Sequence, residues 1–140
     1  MRADASVAMY ERDATATAFG IELVEADAER SVVRMRVAPE MCNGLDVIHG
    51  GMTFLLADSA MAFASNAEGE AAFATSAEID WLAPATAGQW LTATAERRAG
   101  GRKSAVWDVT VTASDTDANT GDTIAIFRGR TRKVARPTGS

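Results

Sequence analysis

The sequence predicts an α+β fold in one domain over residues 1–140: a curved antiparallel sheet wrapped around one long central helix. Three observations predict it. One apolar stretch, about 51–66, holds good helix formers and packing residues and no proline. Behind it the chain reads as strand after strand, with two-residue alternation and Gly or Pro at the joints. At 140 residues and 47% apolar, the chain can bury one core. A lone helix that is apolar nearly all round must be covered on nearly every side, and a curving sheet supplies that cover.

The elements follow in order. Residues about 6–19 are alanine-rich, with Val7, Met9, Tyr10, Ala14 and Phe19 apolar, and predict one short amphipathic helix ended by Gly20. Ile21 to Val24 and Ser31 to Val37 read as two strand arms with Glu29 and Arg30 in the turn. Pro39 to Ile48 is a loop. The central helix follows, its polar residues few (Thr53, Asp58, Ser59, Ser65), with Asn66 and Gly69 at its end. Ala72 to Leu82 reads as strand closed by Pro84. Gln89 to Arg98, Ser104 to Ala113 and Asp122 to Val134 read as a meander, with turns at Gly100-Gly101 and across the polar Ser114–Gly121 segment. The tail 136–140 is expected to fray. Open sheet edges predict pairing with a second copy.

Composition narrows the function classes. A formal charge of -5 gives no reason to expect nucleic acid. Cys42 is the single cysteine, which fits a reducing cytoplasm, and no window approaches 18 uncharged apolar residues, so neither signal peptide nor membrane span is expected. One histidine and one cysteine without clustered carboxylates give no metal-ligand set. The informative stretch is Asn43-Gly44, then His49-Gly50-Gly51, then Asp58 inside the apolar helix. A carboxylate in such a place needs a reason: either an ordinary helix contact at an interface, or chemistry.

These residues, together with Leu56-Ala57-Asp58-Ser59-Ala60, Ile79-Asp80-Trp81-Leu82-Ala83-Pro84-Ala85, Gly88, Leu91 to Ala95 and Ile126-Phe127-Arg128-Gly129, resemble the hotdog-fold thioesterases of the PaaI, or phenylacetic-acid-degradation, type. The resemblance covers roughly Arg34 to Lys133. It implies hydrolysis of acyl-CoA thioesters by a homodimer that often pairs into a homotetramer. The implied substrates are phenylacetyl-CoA and hydroxyphenylacetyl-CoA, with CoA entering as part of the substrate and no separate cofactor. It implies that Asp58 is the catalytic carboxylate, that the Gly50 N–H meets the thioester carbonyl, and that Asn43 and His49 place the thioester or the water. A polar residue of the next strand is also implied, falling on Thr75 or Ser76. The family often has an acidic residue after the glycine at 88, where Gln89 stands here; that bears on a turn.

The residue types suit this chemistry. Asp58 can attack the carbonyl or deprotonate a water. The helix N-terminus presents free N–H groups and the positive end of a dipole, and Gly50 and Gly51 let a carbonyl approach. Eight helical residues span about 12 Å, so Gly50 and Asp58 of one chain cannot flank one thioester. Two antiparallel helices in a dimer would bring Gly50 of one chain beside Asp58 of the other. Plainer roles stand beside these: a tight turn for Gly50-Gly51, a turn or cap for Asn43, and loop hydrogen bonds for His49. Arg102, Arg128 and Arg130 are candidates for the CoA phosphates, or else a solvated strand face. Trp81, Trp90 and Trp107 are core or interface residues by default, pocket-lining as the alternative. Two rival activities remain open: a hydratase or dehydratase on the same fold, and a non-catalytic acyl-CoA-binding module. Thiol release separates the thioesterase from both.

Overall fold

The computed structural model describes residues 1–117 and 121–137. Helices α1 (Asp4–Glu11) and α2 (Ala14–Phe19) precede strands β1 (Glu22–Ala26) and β2 (Arg30–Arg36). A 3-10 turn at Pro39–Met41 leads to α3 (Gly50–Ser65), and then come β3 (Glu70–Trp81), β4 (Trp90–Gly100), β5 (Ser104–Ser114) and β6 (Asp122–Pro137). The strands form one sheet in the order β1-β2-β4-β5-β6-β3, every neighbouring pair antiparallel. This is the curved sheet around one helix that the sequence predicts.

Local chemistry moves several boundaries. The expected single N-terminal helix is two, because the Asp13 carboxylate accepts the Ala16 N–H at 2.9 Å and starts a new helix. Gly20 ends α2 in the left-handed region, φ 68°. Arg30 belongs to β2 rather than to the turn, since the Asp27 carboxylate accepts the N–H groups of Glu29 and Arg30 and tightens the turn before it. β6 runs past the expected end at Val134 because β3 pairs along it as far as Pro137, which lies opposite Glu70. Of the tail expected to fray, residues 138–140 lie outside the described residues, as do residues 118–120 of the polar loop.

The core lies between α3 and the concave face of the sheet. Leu56, Ala57, Ala60, Met61, Phe63 and Ala64 of α3 are buried against Leu91, Ala93, Ala95, Val109, Val111 and Phe127. Buried hydroxyls fix the helix in place: Ser6 donates to the Phe63 carbonyl at 2.8 Å, and Ser31 donates to the Ala60 carbonyl. Gly129 of β6 sits directly under the helix, where a Cβ would collide with the Met61 sulfur.

One expectation is overturned. α3 is not buried nearly all round in the single chain. Gly51 is exposed, and Phe54, Leu55, Asp58, Ser59 and Ala62 are only half-buried. Their three- and four-residue spacing puts them on one stripe. Six strands enclose the rest of the helix and leave this side open. Among the described strands the neighbouring β3 pairs only with β6, and residues 73–78 of it are exposed, Phe73 at 52%.

Candidate active site

The loop ahead of α3 is held by its own backbone. Cys42 bridges Ile48, the Ile48 N–H donates to the Ala85 carbonyl at 2.8 Å, and the His49 N–H donates to the Met41 carbonyl at 2.9 Å. The Asn43 side-chain oxygen accepts the N–H groups of Leu45 (2.9 Å) and Val47 (3.4 Å), the turn role weighed for it. Its NH2 group has no partner among the described residues. Asp46 closes the loop in the left-handed region, φ 61°.

At the start of α3 the His49 carbonyl accepts Met52 N–H at 3.0 Å and Thr53 N–H at 3.4 Å. The His49 imidazole caps nothing and is exposed. Its backbone, not its ring, ties the loop down. The N–H groups of Gly50 and Gly51 meet no acceptor among the described residues, so two bare donors stand at the positive end of the helix dipole.

Beside them lies a residue that sequence reasoning left with a packing role. The Trp81 indole N–H donates to the Gly50 carbonyl at 3.1 Å. Its ring lies 3.0 Å from where a Cβ of residue 50 would be, whereas a Cβ at Gly51 would meet open space. A side chain at 50 would press on the indole, whereas one at Gly51 would not be crowded. The signal for Trp81 was its place at the end of the strand that runs back along α3. Trp107 is in the core as expected, with its indole N–H on Thr131, whereas Trp90 is half-buried outside the core and lies under Arg34.

Asp58 sits midway along α3 on the open stripe. It is half-buried, with no hydrogen-bond or ion-pair partner among the described residues, and burial pushes its carboxyl pKa up from the ordinary value.

The remaining predicted residues are elsewhere. Phe127, Gly129 and Thr131 face the core, so Arg128 and Arg130 between them point to the convex face, away from α3. Arg128 grips both oxygens of Asp108 at 2.7 and 2.9 Å, and Arg98 adds a contact at 3.0 Å. The hydrogen bonds from Arg128, with its charge and that of Arg98, hold the Asp108 carboxyl below its usual range. Ser76 pairs with Arg130 in register and accepts a long contact of 3.5 Å from its guanidinium; Thr75 sits at a bulge in β3 and donates to the Arg130 carbonyl at 3.3 Å. Arg102 lines a cleft of about 270 Å³ with Ser65, Glu68, Arg97, Lys103 and Lys133 by the other end of α3. Asn43, His49, Gly50 and Gly51 therefore gather at one end of the helix with Trp81, and Asp58 lies halfway along it. Among the described residues no three His, Cys, Asp or Glu side chains cluster as metal ligands, and no helix is long and apolar enough to cross a membrane.

Comparison with known proteins adds to this geometry. Residues 45–119 match the model of the thioesterase superfamily. The chain is 42% identical over 127 residues to acyl-coenzyme A thioesterase PaaI of Escherichia coli (strain K12), covering 91% of this chain and 87% of the relative. It superposes on the structure of the E. coli PaaI protein from the phenylacetic acid degradation operon with a TM-score of 0.86 at 39% identity, covering 94% of this chain and 92% of that one. A mutant of the phenylacetic acid degradation protein PaaI from Thermus thermophilus matches at TM-score 0.79 and 30% identity, over 87% of this chain and 100% of that one. The sheet around α3 is the hotdog fold of these PaaI structures.

Proposed function

The chain belongs to the thioesterase superfamily, and from that premise we propose that it hydrolyses acyl-CoA thioesters, with phenylacetyl-CoA and hydroxyphenylacetyl-CoA as the substrate class. The observation that carries the reading is the pairing of an unpartnered, burial-shifted carboxylate, Asp58, with two bare N–H groups at the start of the same helix. Their chemical demands are complementary. The N–H groups of Gly50 and Gly51 stabilise the oxygen that gains charge as the carbonyl becomes tetrahedral. Asp58 supplies the attack, either directly, forming an acyl anhydride that water then opens, or by taking a proton from water. Both routes consume one water and release the carboxylic acid and the CoA thiol. In this reading the NH2 group of Asn43 and the imidazole of His49, which have no partner among the described residues, contact the thioester or the water. The exposed indole of Trp81 beside the donors supports an aromatic acyl group.

The working unit in this reading is a homodimer. The open stripe of α3 and the exposed edge of β3 are the surfaces a second copy would cover. Antiparallel α3 helices would then place Gly50 and Gly51 of one chain opposite Asp58 of the other, about 12 Å along the axis from its own helix start. Further pairing into a homotetramer is what the family resemblance implies. Thiol release from a panel of phenylacetyl, hydroxyphenylacetyl, benzoyl and straight-chain CoA thioesters tests the reading. Fast release from the aryl-acetyl members, lost in Asp58→Asn, supports it. Tight binding of every thioester with no thiol released from any would overturn it.

A further inference from the structure

We infer that Trp81 is a positioning residue that tunes the oxyanion donors through the Gly50–Gly51 peptide; this rests on the thioesterase reading above. The argument begins with the peptide unit. The carbonyl of Gly50 and the N–H of Gly51 belong to one planar, conjugated group. A donor on the carbonyl oxygen draws electron density along it and makes the N–H at the other end a stronger donor, because hydrogen bonds in a chain polarise one another. The Trp81 indole N–H is that donor, at 3.1 Å from the Gly50 oxygen. The Gly51 N–H at the far end has no acceptor among the described residues, and a Cβ at Gly51 would meet open space. With no acceptor among the described residues and Gly51 itself exposed, the polarised end is left unclaimed for a ligand oxygen.

Packing holds the arrangement. The indole ring is within 3.0–3.2 Å of the site a Cβ would take at residue 50, so no other residue fits there without moving the ring. Trp81 is the last residue of β3 and pairs with Ala125 of β6, and the next residue, Leu82, donates its N–H to the Ile124 carbonyl at 2.7 Å. The ring is thus anchored at its backbone while being 55% exposed at its side chain. A tryptophan left this open, with its polar edge committed to the first carbonyl of a helix, does little for the core. It fixes the register of the first turn and closes one wall of the space above the bare N–H groups.

Two variants separate the donor from the ring. Trp81→Phe keeps aromatic bulk and loses the N–H. In Trp81→His, the imidazole can lay its Nε2–H where the five-membered ring of indole carries its own, so the donor stays and the bulk goes. Above the imidazole pKa, the expected result is a kcat about tenfold lower in Trp81→Phe with KM within about twofold, and in Trp81→His a clearly smaller loss of kcat together with a raised KM, because the donor stays while the indole wall goes. The loss should be smaller than the ~100-fold or more that follows removal of a donor touching the oxyanion itself.

A second readout does not depend on turnover. In the Asp58→Asn background, the infrared carbonyl band of bound ¹³C-labelled phenylacetyl-CoA should lie below that of the free thioester. The displacement should shrink with Trp81→Phe and persist with Trp81→His. An unchanged kcat and an unchanged band in Trp81→Phe would overturn the inference, as would equal losses in the two variants. A bound thioester whose band is not displaced even beside Trp81 would instead overturn the reading of Gly50 and Gly51 as oxyanion donors, and the inference with it.

Discussion

Asp58 on α3 and Asp108 on β5 are both partly covered carboxylates, yet the protein treats them in opposite ways. Asp108 is clasped by Arg128 through two hydrogen bonds and touched by Arg98, so its charged form is favoured and its pKa falls. Asp58 has no such partner, and burial among the apolar residues of α3 raises its pKa. The convex face spends arginines to neutralise a carboxylate; the helix leaves one unneutralised on a stripe that a second chain would cover. A group kept in an unfavourable state without a structural partner is the one to suspect of chemistry. The pair also teaches that charge near a site is a poor guide by itself, since Arg128 stood among the phosphate candidates and is engaged by Asp108.

The comparison breaks most sharply at the two aspartates themselves. Asp58→Asn should lower kcat/KM for an aryl-acetyl thioester by roughly 10²–10⁴-fold, measured by thiol release. Its thermal midpoint at neutral pH should hold or rise. Asp108→Asn should leave kcat/KM at the parent value; a loss matching that of Asp58→Asn would mean the two carboxylates have been assigned the wrong way round.

Subunit mixing comes next in size. Asp58→Asn chains and Gly50→Val chains, each inactive alone, should regain about a quarter of parental activity when unfolded and refolded together in equal amounts, because half the dimers are mixed and each carries one intact composite site. No recovery in dimers shown to be mixed would put Gly50 and Asp58 of the same chain to work together and contradict the antiparallel arrangement.

The pH dependence is a smaller effect with a definite sign. Asp58 must be ionised to act, and its pKa is raised, so the acid limb of kcat/KM should lie above the ordinary carboxylate range and track Asp58. For stability, a raised folded pKa means the folded chain holds its proton longer than the unfolded chain. The Asp58 contribution is therefore most favourable below the unfolded value and falls as pH rises through the folded one. For Asp108 the order reverses: its contribution is present above the unfolded value and is lost as pH falls through the depressed one. Thermal melts of the two Asn variants against pH would read both signs.

The smallest effect is that of Asp108→Asn on stability at neutral pH. An exposed ion-pair cluster contributes little, so a slight drop in the melting midpoint is expected, larger at low salt than at high. A large, salt-independent drop would show that the cluster holds the sheet together rather than decorating it.

Much of this was legible in the chain itself. The apolar run of α3, the alternation in β4 and β5 and the left-handed cap at Gly20 are local patterns realised as helix, strand and cap, and the His49-Gly50-Gly51 to Asp58 spacing puts the two glycines at the start of α3 and the carboxylate midway along it. The N-terminal helix was misjudged at Asp13, where a side-chain oxygen competing for a backbone N–H outweighed alanine propensity. The partners of individual residues were harder to read. Which face of β3 carries Ser76 depends on a bulge at Thr75, and one inserted residue exchanges the faces of a strand.

The sequence by itself determined the fold class, the single long helix, and the glycines and carboxylate on which the proposed chemistry depends, because periodicity and residue type act over a few neighbours. Only the tertiary structure decided that one stripe of α3 stays open, that Trp81 reaches back to the Gly50 carbonyl across 31 positions of chain, and that Asp108 clasps Arg128. Those facts arise where the curvature of a six-stranded sheet brings distant segments together, and no local pattern encodes the distance between them.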